Sequence, residues 1–216
     1  MKQFGETIAG YSIPVMNERE IRGAAGILFL GTITSFLNII FAGNFILFKY
    51  FIFFFMMDMG IRIFIHPQFS PTLTIARFIV RKQSPLYVGA VQKRFAWIIG
   101  FTLSSIMFIH IVVLNAFGPV SGLTCLVCMI FLFAEVAFNI CIGCKIYGRF
   151  NKGKVLHCPG EVCDYKDRQS IQKTQPAQWA VVIFMLLLLV TTGFLFHNHI
   201  KDKPQPLEKR IHNLIK

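Results

Sequence analysis

The sequence predicts an all-α polytopic membrane protein with a four-helix transmembrane core, a fifth transmembrane helix and an amphipathic interfacial helix. Of its 216 residues, 55% are hydrophobic and only 15% are charged, whereas about a quarter of the residues in a soluble domain are charged. The apolar residues form long runs instead of the alternation that half-buried helices and strands show. Five of these runs are about 20 residues long, which is the length of a helix that crosses a bilayer.

The first two predicted spans form a helical hairpin. The first span covers about 22–42 and follows Asn17-Glu18-Arg19-Glu20, a sequence typical of an N-cap with Glu at the third helical position. Gly43-Asn44 predicts a tight turn, and the second span follows at about 45–65. His66-Pro67 then ends this second helix, because proline cannot continue it.

The segment after the hairpin favours an amphipathic helix on the membrane surface, within 67–95. Ser70-Pro71 is a typical helix start, and the apolar residues that follow are interleaved with Arg77, Arg81 and Lys82. Such a helix would bury its apolar face in the bilayer boundary and direct its cationic side chains toward lipid headgroups.

Three further spans are predicted in the rest of the chain. The third covers about 95–117, and Gly118-Pro119 predicts a short turn into the fourth, at about 120–144. A basic loop over 145–177 precedes the fifth span, at about 178–196. The fifth run is the most plainly apolar, and the tail after it is polar and basic.

The predicted spans divide the chain into three parts. Residues 1–21 form an N-terminal segment, 22–163 form a four-span membrane domain with a cysteine cluster, and 164–216 hold a linker, the fifth helix and the basic tail. Most of the 22 Lys and Arg residues lie in the N-terminal segment and the two long loops. The positive-inside rule therefore predicts that these parts face the cytoplasm.

The formal net charge of +12 could suggest a nucleic-acid partner. The basic residues, however, lie between apolar runs, where the positive-inside rule places them. We therefore predict the lipid bilayer, with its anionic headgroups, as the partner of these charges, and no binding of nucleic acid.

Four of the six cysteines lie in one short stretch that begins where the fourth span ends. They are Cys141, Cys144, Cys158 and Cys163. The spacing C-x2-C-x13-C-x4-C is close to that of a zinc ribbon, so a structural zinc ion held by these four residues is one alternative. The others are a disulfide, a redox or sulfur-carrying site, and unrelated thiols.

One physical argument weakens the redox alternative. The predicted fourth span places Cys141 and Cys144 at the C-terminal end of a helix, where the helix dipole disfavours a thiolate. Lys145 and Arg149 are near enough in sequence to offset that effect. Without such compensation, we expect two slow nucleophiles.

A second C-x-x-C pair, Cys125 and Cys128, lies inside the fourth span near its outer end. Cysteine packs in membrane helices as a small apolar residue, which is one interpretation of this pair. Thirteen residues separate Cys128 from Cys141, or roughly 20 Å along a helix, so direct exchange between the pairs is not expected. The other interpretation is an outer binding site for a transported solute.

Three charged residues lie within predicted spans. Asp58 and Arg62 are four residues apart on one face of the second span, and Glu135 lies in the fourth. Charges inside a membrane are costly unless paired, so they indicate a functional site or an interhelical salt bridge. We predict that Asp58 and Glu135 lie at similar depths near the cytoplasmic face, where Arg62 could bridge them.

The sequence also carries a specific combination of motifs, in seven stretches. They are 13–20, 58–62, 70–71, 92–97, 141–147, 158–160 and Cys163. Together these motifs resemble the bacterial membrane family called domain of unknown function 4395, over about residues 11–163. The resemblance implies a location in the bacterial inner membrane and companions that are thioredoxin-like or rhodanese-like proteins. Its pattern falls on residues already singled out, namely Cys141, Cys144, Cys158, Cys163, Asp58, Arg62 and Glu135.

The leading hypothesis is an inner-membrane thiol–disulfide redox or sulfur-transfer protein that uses the cysteines at the cytoplasmic face. In it, Asp58 and Glu135 would supply or accept the proton. A second hypothesis is a small transporter for a thiophilic solute, with Cys125 and Cys128 as its outer site. A third is a zinc-stapled membrane scaffold. Whether the protein is an enzyme, which substrate it takes and how it assembles stay open at this stage.

Overall fold

Helices make up most of the computed structural model, which describes residues 4–8, 10–11, 13–150, 174–202 and 205–206. Eight α-helices lie in these ranges. In chain order they are α1 (Glu18–Ala42), α2 (Ile46–Gly60), α3 (Pro71–Val80), α4 (Ala90–Phe108), α5 (Pro119–Phe138), α6 (Ile142–Phe150), α7 (Pro176–Leu195) and α8 (His197–Lys201). Helices α2 and α4 each continue into a π-helical turn, Ile61–Ile65 and Ile109–Val113 respectively.

Four helices in the described part of the chain are long and apolar enough to cross a membrane. They are α1, α5, α7 and the combined helix Ala90–Val113, which confirms the prediction of a helical protein with membrane-spanning segments. The predicted second span is also helical, as α2 and its π-helical turn, but it carries Lys49, Asp58 and Arg62. The outward faces of the helices expose many large apolar side chains, as lipid contact requires.

The predicted fourth span was wrong at its C-terminal end. Helix α5 stops at Phe138, six residues before the predicted end, because Asn139 adopts a left-handed conformation with φ of 56°. Asparagine tolerates that conformation better than most residues, and it is a common helix terminator for this reason. A separate helix, α6, starts at Ile142.

The segment 67–95 contains the helix α3, over Pro71–Val80. Ser70 caps α3 by accepting a hydrogen bond from the Leu73 N–H, and the helix ends at Val80. One face of α3 is buried against α1 and α7, while Phe78 and Ile79 are exposed on the other. Arg77, which the sequence suggested as a headgroup contact, instead turns inward and pairs with Glu20 at 2.9 Å.

The described residues also include two short sheets that the all-α prediction lacked. One sheet lies at each end of the bundle and joins segments that are distant in sequence. Strands β1 (Val15–Asn17) and β2 (Tyr87–Gly89) pair antiparallel, with Met16 opposite Val88. This pairing fixes the N-terminal segment beside the start of α4, at the end of the bundle that also holds α3 and α6, here called the cysteine end. Strands β3 (Ala116–Phe117) and β4 (Gln205–Pro206) pair in parallel at the opposite end, here called the tail end.

A partly buried contact also secures the N-terminal segment at the cysteine end. The backbone of Glu6 exchanges two hydrogen bonds with Val15, each 2.9 Å long. Its side chain accepts a hydrogen bond from Gln68 Nε2 at 2.6 Å. Burial raises the pKa of the Glu6 carboxyl group above its ordinary value. The segment before α1 is therefore joined to both β1 and the start of α3.

The interior contains two apolar clusters, one nearer each end of the bundle. The cluster at the cysteine end includes Ile21, Leu28, Phe55, Met59, Trp97 and Leu132. The cluster at the tail end includes Phe48, Ile52, Met107, Ile111 and Cys125. The candidate site lies where α6 covers the first of these clusters.

Candidate functional site

The pair Cys141 and Cys144 lies at the N-terminal end of α6. Cys141 occupies the N-cap position, directly before the first helical residue. Its Sγ accepts a hydrogen bond from the Cys144 N–H at 3.3 Å, and its carbonyl oxygen accepts one from the Lys145 N–H at 3.0 Å. The two cysteines are joined in a disulfide, with their Cα atoms 5.1 Å apart.

This placement reverses the electrostatic argument made from the sequence. The prediction of a helix C-terminus was wrong, because the chain breaks at Asn139 and restarts as α6 before the C-x-x-C pair. At a helix N-terminus the dipole and the unpaired backbone N–H groups favour a thiolate. After reduction, Cys141 would keep the N–H of Cys144 as a donor to its sulfur. The reason for expecting Cys141 and Cys144 to be slow nucleophiles is therefore removed.

Close packing fixes the start of α6 against α4. A Cβ atom placed on Gly143 would lie 2.6 Å from Ala96 Cβ and 2.7 Å from Ala96 Cα, so only glycine allows this approach. One turn further along, the rings of Tyr147 and Phe95 have centroids 5.5 Å apart. The glycine inside the C-x-x-C motif thus sets the position of both sulfur atoms relative to α4.

A cavity of about 50 Å³ lies beneath this disulfide, between α1, α2, α4, α5 and the start of α6. Two charged residues, Arg62 and Glu135, and two cysteines, Cys128 and Cys141, line it at different points. The rest of the wall is mostly apolar, and it includes Leu28, Phe55, Met59, Trp97, Phe131 and Leu132. The cavity therefore brings residues from three predicted groups, the C-x-x-C pair, the second thiol pair and the intramembrane charges, to one space.

The carboxylate of Glu135 links this cavity to an ion-pair cluster at the cysteine end. Lys93 Nζ lies 2.9 Å from Glu135 Oε1 and 3.1 Å from Glu18 Oε1. The Lys93 side chain is only 3% exposed, whereas the Glu18 and Glu135 side chains are 13% and 16% exposed. Glu135 thus lies at the cavity wall and is linked through Lys93 to Glu18, which is partly exposed at the protein surface.

A second buried cluster surrounds Asp58 and Arg62. Arg62 Nη2 lies 2.7 Å from Asp58 Oδ2, and both side chains are buried, with exposures of 2% and 0%. Asp58 also accepts hydrogen bonds from Ser70 Oγ at 2.8 Å and from the Thr72 N–H at 3.0 Å. The Arg62 guanidinium lies 5.1 Å from the centre of the Trp97 ring. Asp58 therefore holds Arg62 in a fixed position at the cavity wall.

The predicted bridge from Asp58 through Arg62 to Glu135 was wrong in its last step. Among the described residues, the ion-pair partner of Glu135 is Lys93. Lys93 falls within the segment 67–95, which the sequence assigned to the membrane surface, but the structure places it in α4. A helical spacing of four residues places Lys93 and Trp97 on one face of α4, and this periodicity was the available signal.

The remaining predicted site residues divide into two groups. Cys158 and Cys163 lie outside the described residues. Of the proposed four-cysteine zinc site, the structure therefore describes Cys141 and Cys144. Within the described ranges, no group of three or more His, Cys, Asp or Glu residues is placed to hold a metal ion. Cys125 and Cys128 both have free thiols. Cys125 packs in the tail-end cluster, whereas Cys128 lines the cavity.

The described part of the protein is thus helical, with four helices long and apolar enough to cross a membrane. A C-x-x-C disulfide lies at one end of the bundle. The chain belongs to the family described as domain of unknown function (DUF4395), whose model matches residues 16–152. This match confirms the resemblance drawn from the motifs, and it runs from β1 through α6. No curated protein and no solved structure matches the chain.

Proposed function

We propose that this chain is a thiol–disulfide redox protein of the bacterial inner membrane, in which Cys141 and Cys144 cycle between dithiol and disulfide. The observation that carries the proposal is the disulfide at the N-terminus of α6, with Cys141 at the N-cap. That position favours the thiolate, which is the form that attacks disulfides. The structure supports the chemistry of the pair and leaves the choice of physiological partner to experiment.

The reaction passes through a mixed disulfide. When the partner oxidises the dithiol of this protein, the Cys141 thiolate attacks the partner disulfide and releases one partner thiolate. Cys144 then attacks Cys141 and releases the second partner thiolate. Two electrons pass to the partner, and the two protons of the dithiol pass to the released thiolates. In the sulfur-transfer alternative, the thiolate of Cys158 or Cys163 would attack the outer sulfur of a persulfide on Cys141, take that sulfur and leave Cys141 as a thiolate.

We assign the proton-transfer role to Glu135 and a positioning role to Asp58. Glu135 lines the cavity beside Cys141 and shares Lys93 with the partly exposed Glu18, which supports proton exchange with the surface. Asp58 is fully buried and already accepts several hydrogen bonds in addition to its ion pair with Arg62. Such a carboxylate is better suited to holding Arg62 than to moving a proton.

We further propose five membrane spans, with α2 as the additional one and α3 as the interfacial helix. The helical stretch 46–65 is long enough to span, and its buried charges face protein rather than lipid. The cysteine end would face the cytoplasm, because most of the basic residues lie in the segments nearest to it. A thioredoxin-like or rhodanese-like protein would then reach Cys141 from that side.

An exchange assay on the detergent-purified protein tests this proposal. The oxidised protein is mixed with dithiothreitol, sampled over time, alkylated and analysed by peptide mass spectrometry. We expect both thiols to appear with the kinetics of a single reaction and to disappear again when oxidised glutathione is added in excess. A disulfide that dithiothreitol leaves intact, or thiols that never reform a disulfide, would rule out a redox cycle.

Two matched variants test the role of Glu135 in the same assay. Glu135→Gln and Glu18→Gln each remove one carboxylate partner of Lys93, but only Glu135 lines the cavity. We expect Glu135→Gln to change the pH dependence of the exchange rate and Glu18→Gln to leave it as in the wild type. Each variant should lose about 1–3 kcal/mol of stability, since Lys93 is nearly fully buried but keeps one carboxylate partner. Identical pH profiles for both variants would remove Glu135 from the mechanism.

A further inference from the structure

We infer that the cavity beneath Cys141 binds hydrogen sulfide, and that the bound sulfide opens the Cys141–Cys144 disulfide to leave a persulfide on Cys141. The inference rests on the proposed function and names a substrate for the same pair of cysteines. Four properties of the cavity carry it: its volume, the chemistry of its wall, the charges at that wall, and the side from which it reaches the disulfide.

The volume limits the occupant to a very small molecule. A cavity of about 150 Å³ is the size that accepts a benzene ring, whereas this one measures about 50 Å³. Quinones, glutathione and other organic redox partners therefore do not fit. A molecule of one heavy atom does fit, because a water molecule needs only about 10–15 Å³ of such space and hydrogen sulfide is only somewhat larger.

The wall of the cavity favours hydrogen sulfide over water. An ordered water needs two to four polar partners. This wall is mainly apolar and aromatic, and its two charged side chains, Arg62 and Glu135, already bind other protein groups. Hydrogen sulfide is a weak hydrogen-bonding molecule and loses little on leaving water. The wall also includes the thioether of Met59 and the thiol of Cys128, which are soft, polarisable neighbours for a sulfur atom.

Two charged groups at the wall can convert the bound molecule to its reactive anion. Glu135 offers a carboxylate that can take one proton, and Lys93 holds that carboxylate at 2.9 Å. Arg62 offers a guanidinium that Asp58 and Ser70 keep in place, at 2.7 Å and 3.1 Å. The hydrosulfide anion that remains is then stabilised by Arg62 in a space with little water, where a fixed charge acts strongly.

The cavity reaches the disulfide from the side of Cys141. Of the two cysteines, Cys141 is part of the cavity wall and Cys144 is not. Displacement at a disulfide needs the attacking sulfur and the leaving sulfur on opposite sides of the attacked one. An attack from the cavity therefore occurs at Cys141 Sγ, with Cys144 as the leaving group. Cys144 lies in the first turn of α6, where the dipole favours the departing thiolate.

The step balances without any further oxidant. The sulfur of hydrosulfide forms a bond to Cys141 Sγ, the Cys141–Cys144 bond breaks, and its electron pair goes to Cys144 Sγ. Hydrogen sulfide and the disulfide thus give a persulfide on Cys141 and a thiol on Cys144. Sulfide is oxidised to sulfane sulfur as the disulfide is reduced, and the two protons of hydrogen sulfide end on Cys144 and the persulfide, one of them by way of Glu135.

A sulfide reaction on the oxidised, detergent-purified protein tests the inference. The protein is treated with sodium sulfide, alkylated and analysed by peptide mass spectrometry, and a parallel sample is treated with dithiothreitol. We expect the Cys141 site to gain one sulfur atom before alkylation and Cys144 to be alkylated as a thiol. The dithiothreitol sample should show two ordinary thiols.

A cavity-filling variant with a matched control makes the test specific. Gly100 lines the cavity, and a Cβ atom there would lie 3.6 Å from Met59 Sδ, an ordinary contact. Gly122 is also in a spanning helix, but a Cβ atom there would meet nothing within 4 Å. We expect Gly100→Ala to slow persulfide formation roughly tenfold or more by displacing the bound molecule. Gly122→Ala, which adds the same methyl group away from the cavity, should match the wild type in its reactions with both sulfide and dithiothreitol.

Failure of this inference can be told apart from failure of the redox proposal. If dithiothreitol opens the disulfide but sulfide leaves no persulfide on Cys141, the inference is overturned and the redox proposal stands. The same conclusion follows if Gly100→Ala reacts with sulfide as fast as Gly122→Ala. If neither reagent opens the disulfide, both proposals are overturned.

Discussion

The Cys141→Ser variant is expected to lose thiol–disulfide exchange by about three orders of magnitude or more. The reason is that Cys141 provides the sulfur favoured as a thiolate at the N-terminus of α6, and a serine hydroxyl forms no disulfide. The exchange rate with oxidised glutathione, followed by alkylation and mass spectrometry, measures the effect. The variant should fold normally, because serine can still accept the Cys144 N–H at the N-cap.

A matched substitution at the other C-x-x-C pair controls for general effects on the protein. Cys125 has a free thiol and is buried in the tail-end apolar cluster. We expect Cys125→Ala to keep the wild-type exchange rate and to lose only a little stability. Normal exchange by Cys141→Ser, or loss of exchange by Cys125→Ala, would contradict the assignment and would favour the outer pair as the working site of a transporter.

The Asp58→Ala variant is expected to lose about 3–5 kcal/mol of stability, since it leaves Arg62 buried without a counter-charge. The carboxylate of Asp58 binds Arg62, Ser70 and Thr72, so its removal also leaves the two hydroxyl groups without their acceptor. Thermal and denaturant unfolding in the same detergent would measure the loss. A variant that unfolds near the wild-type midpoint would contradict this account of the cluster.

A double variant separates the cost of an unpaired charge from the value of the pair itself. Replacing both members, as Asp58→Leu with Arg62→Met, removes the buried charges together and should recover much of the lost stability. The double variant should nevertheless react slowly with sulfide, because Arg62 is part of the cavity wall. If the double variant is as unstable as Asp58→Ala, packing of the polar side chains is more important than charge pairing.

The fold class could be predicted from the sequence because the apolar runs that mark spanning helices are long and occur several times in the chain. Runs of apolar residues predict spanning helices without any tertiary information, and four such helices are present. The start of α1 was equally predictable, since Asn17 does accept the Arg19 N–H there. The short spacing of Cys141 and Cys144 also predicted a pair close enough to form a disulfide.

The parts that could not be predicted depend on single residues or distant contacts. The left-handed conformation of Asn139 separates α5 from α6, and no hydrophobic pattern marks it. Lys49 lies close to the predicted turn at Gly43-Asn44, yet it is buried and donates to Asn115 Oδ1 and to the carbonyl oxygens of His199 and Asp202. Pairings over such separations, like that of Lys93 with Glu18 and Glu135, become visible only when the helices are assembled.

A redox titration of the purified protein, with zinc measured on the same sample, tests the central claim most directly. The protein is equilibrated with dithiothreitol at graded ratios of oxidised to reduced reagent, and the Cys141–Cys144 peptide is quantified after alkylation. The account predicts that both thiols titrate together as one two-electron couple, in protein that contains no stoichiometric zinc. Thiols that stay protected from alkylation at every ratio, with zinc equimolar to the chain, would contradict it and would make the cysteines a structural metal site.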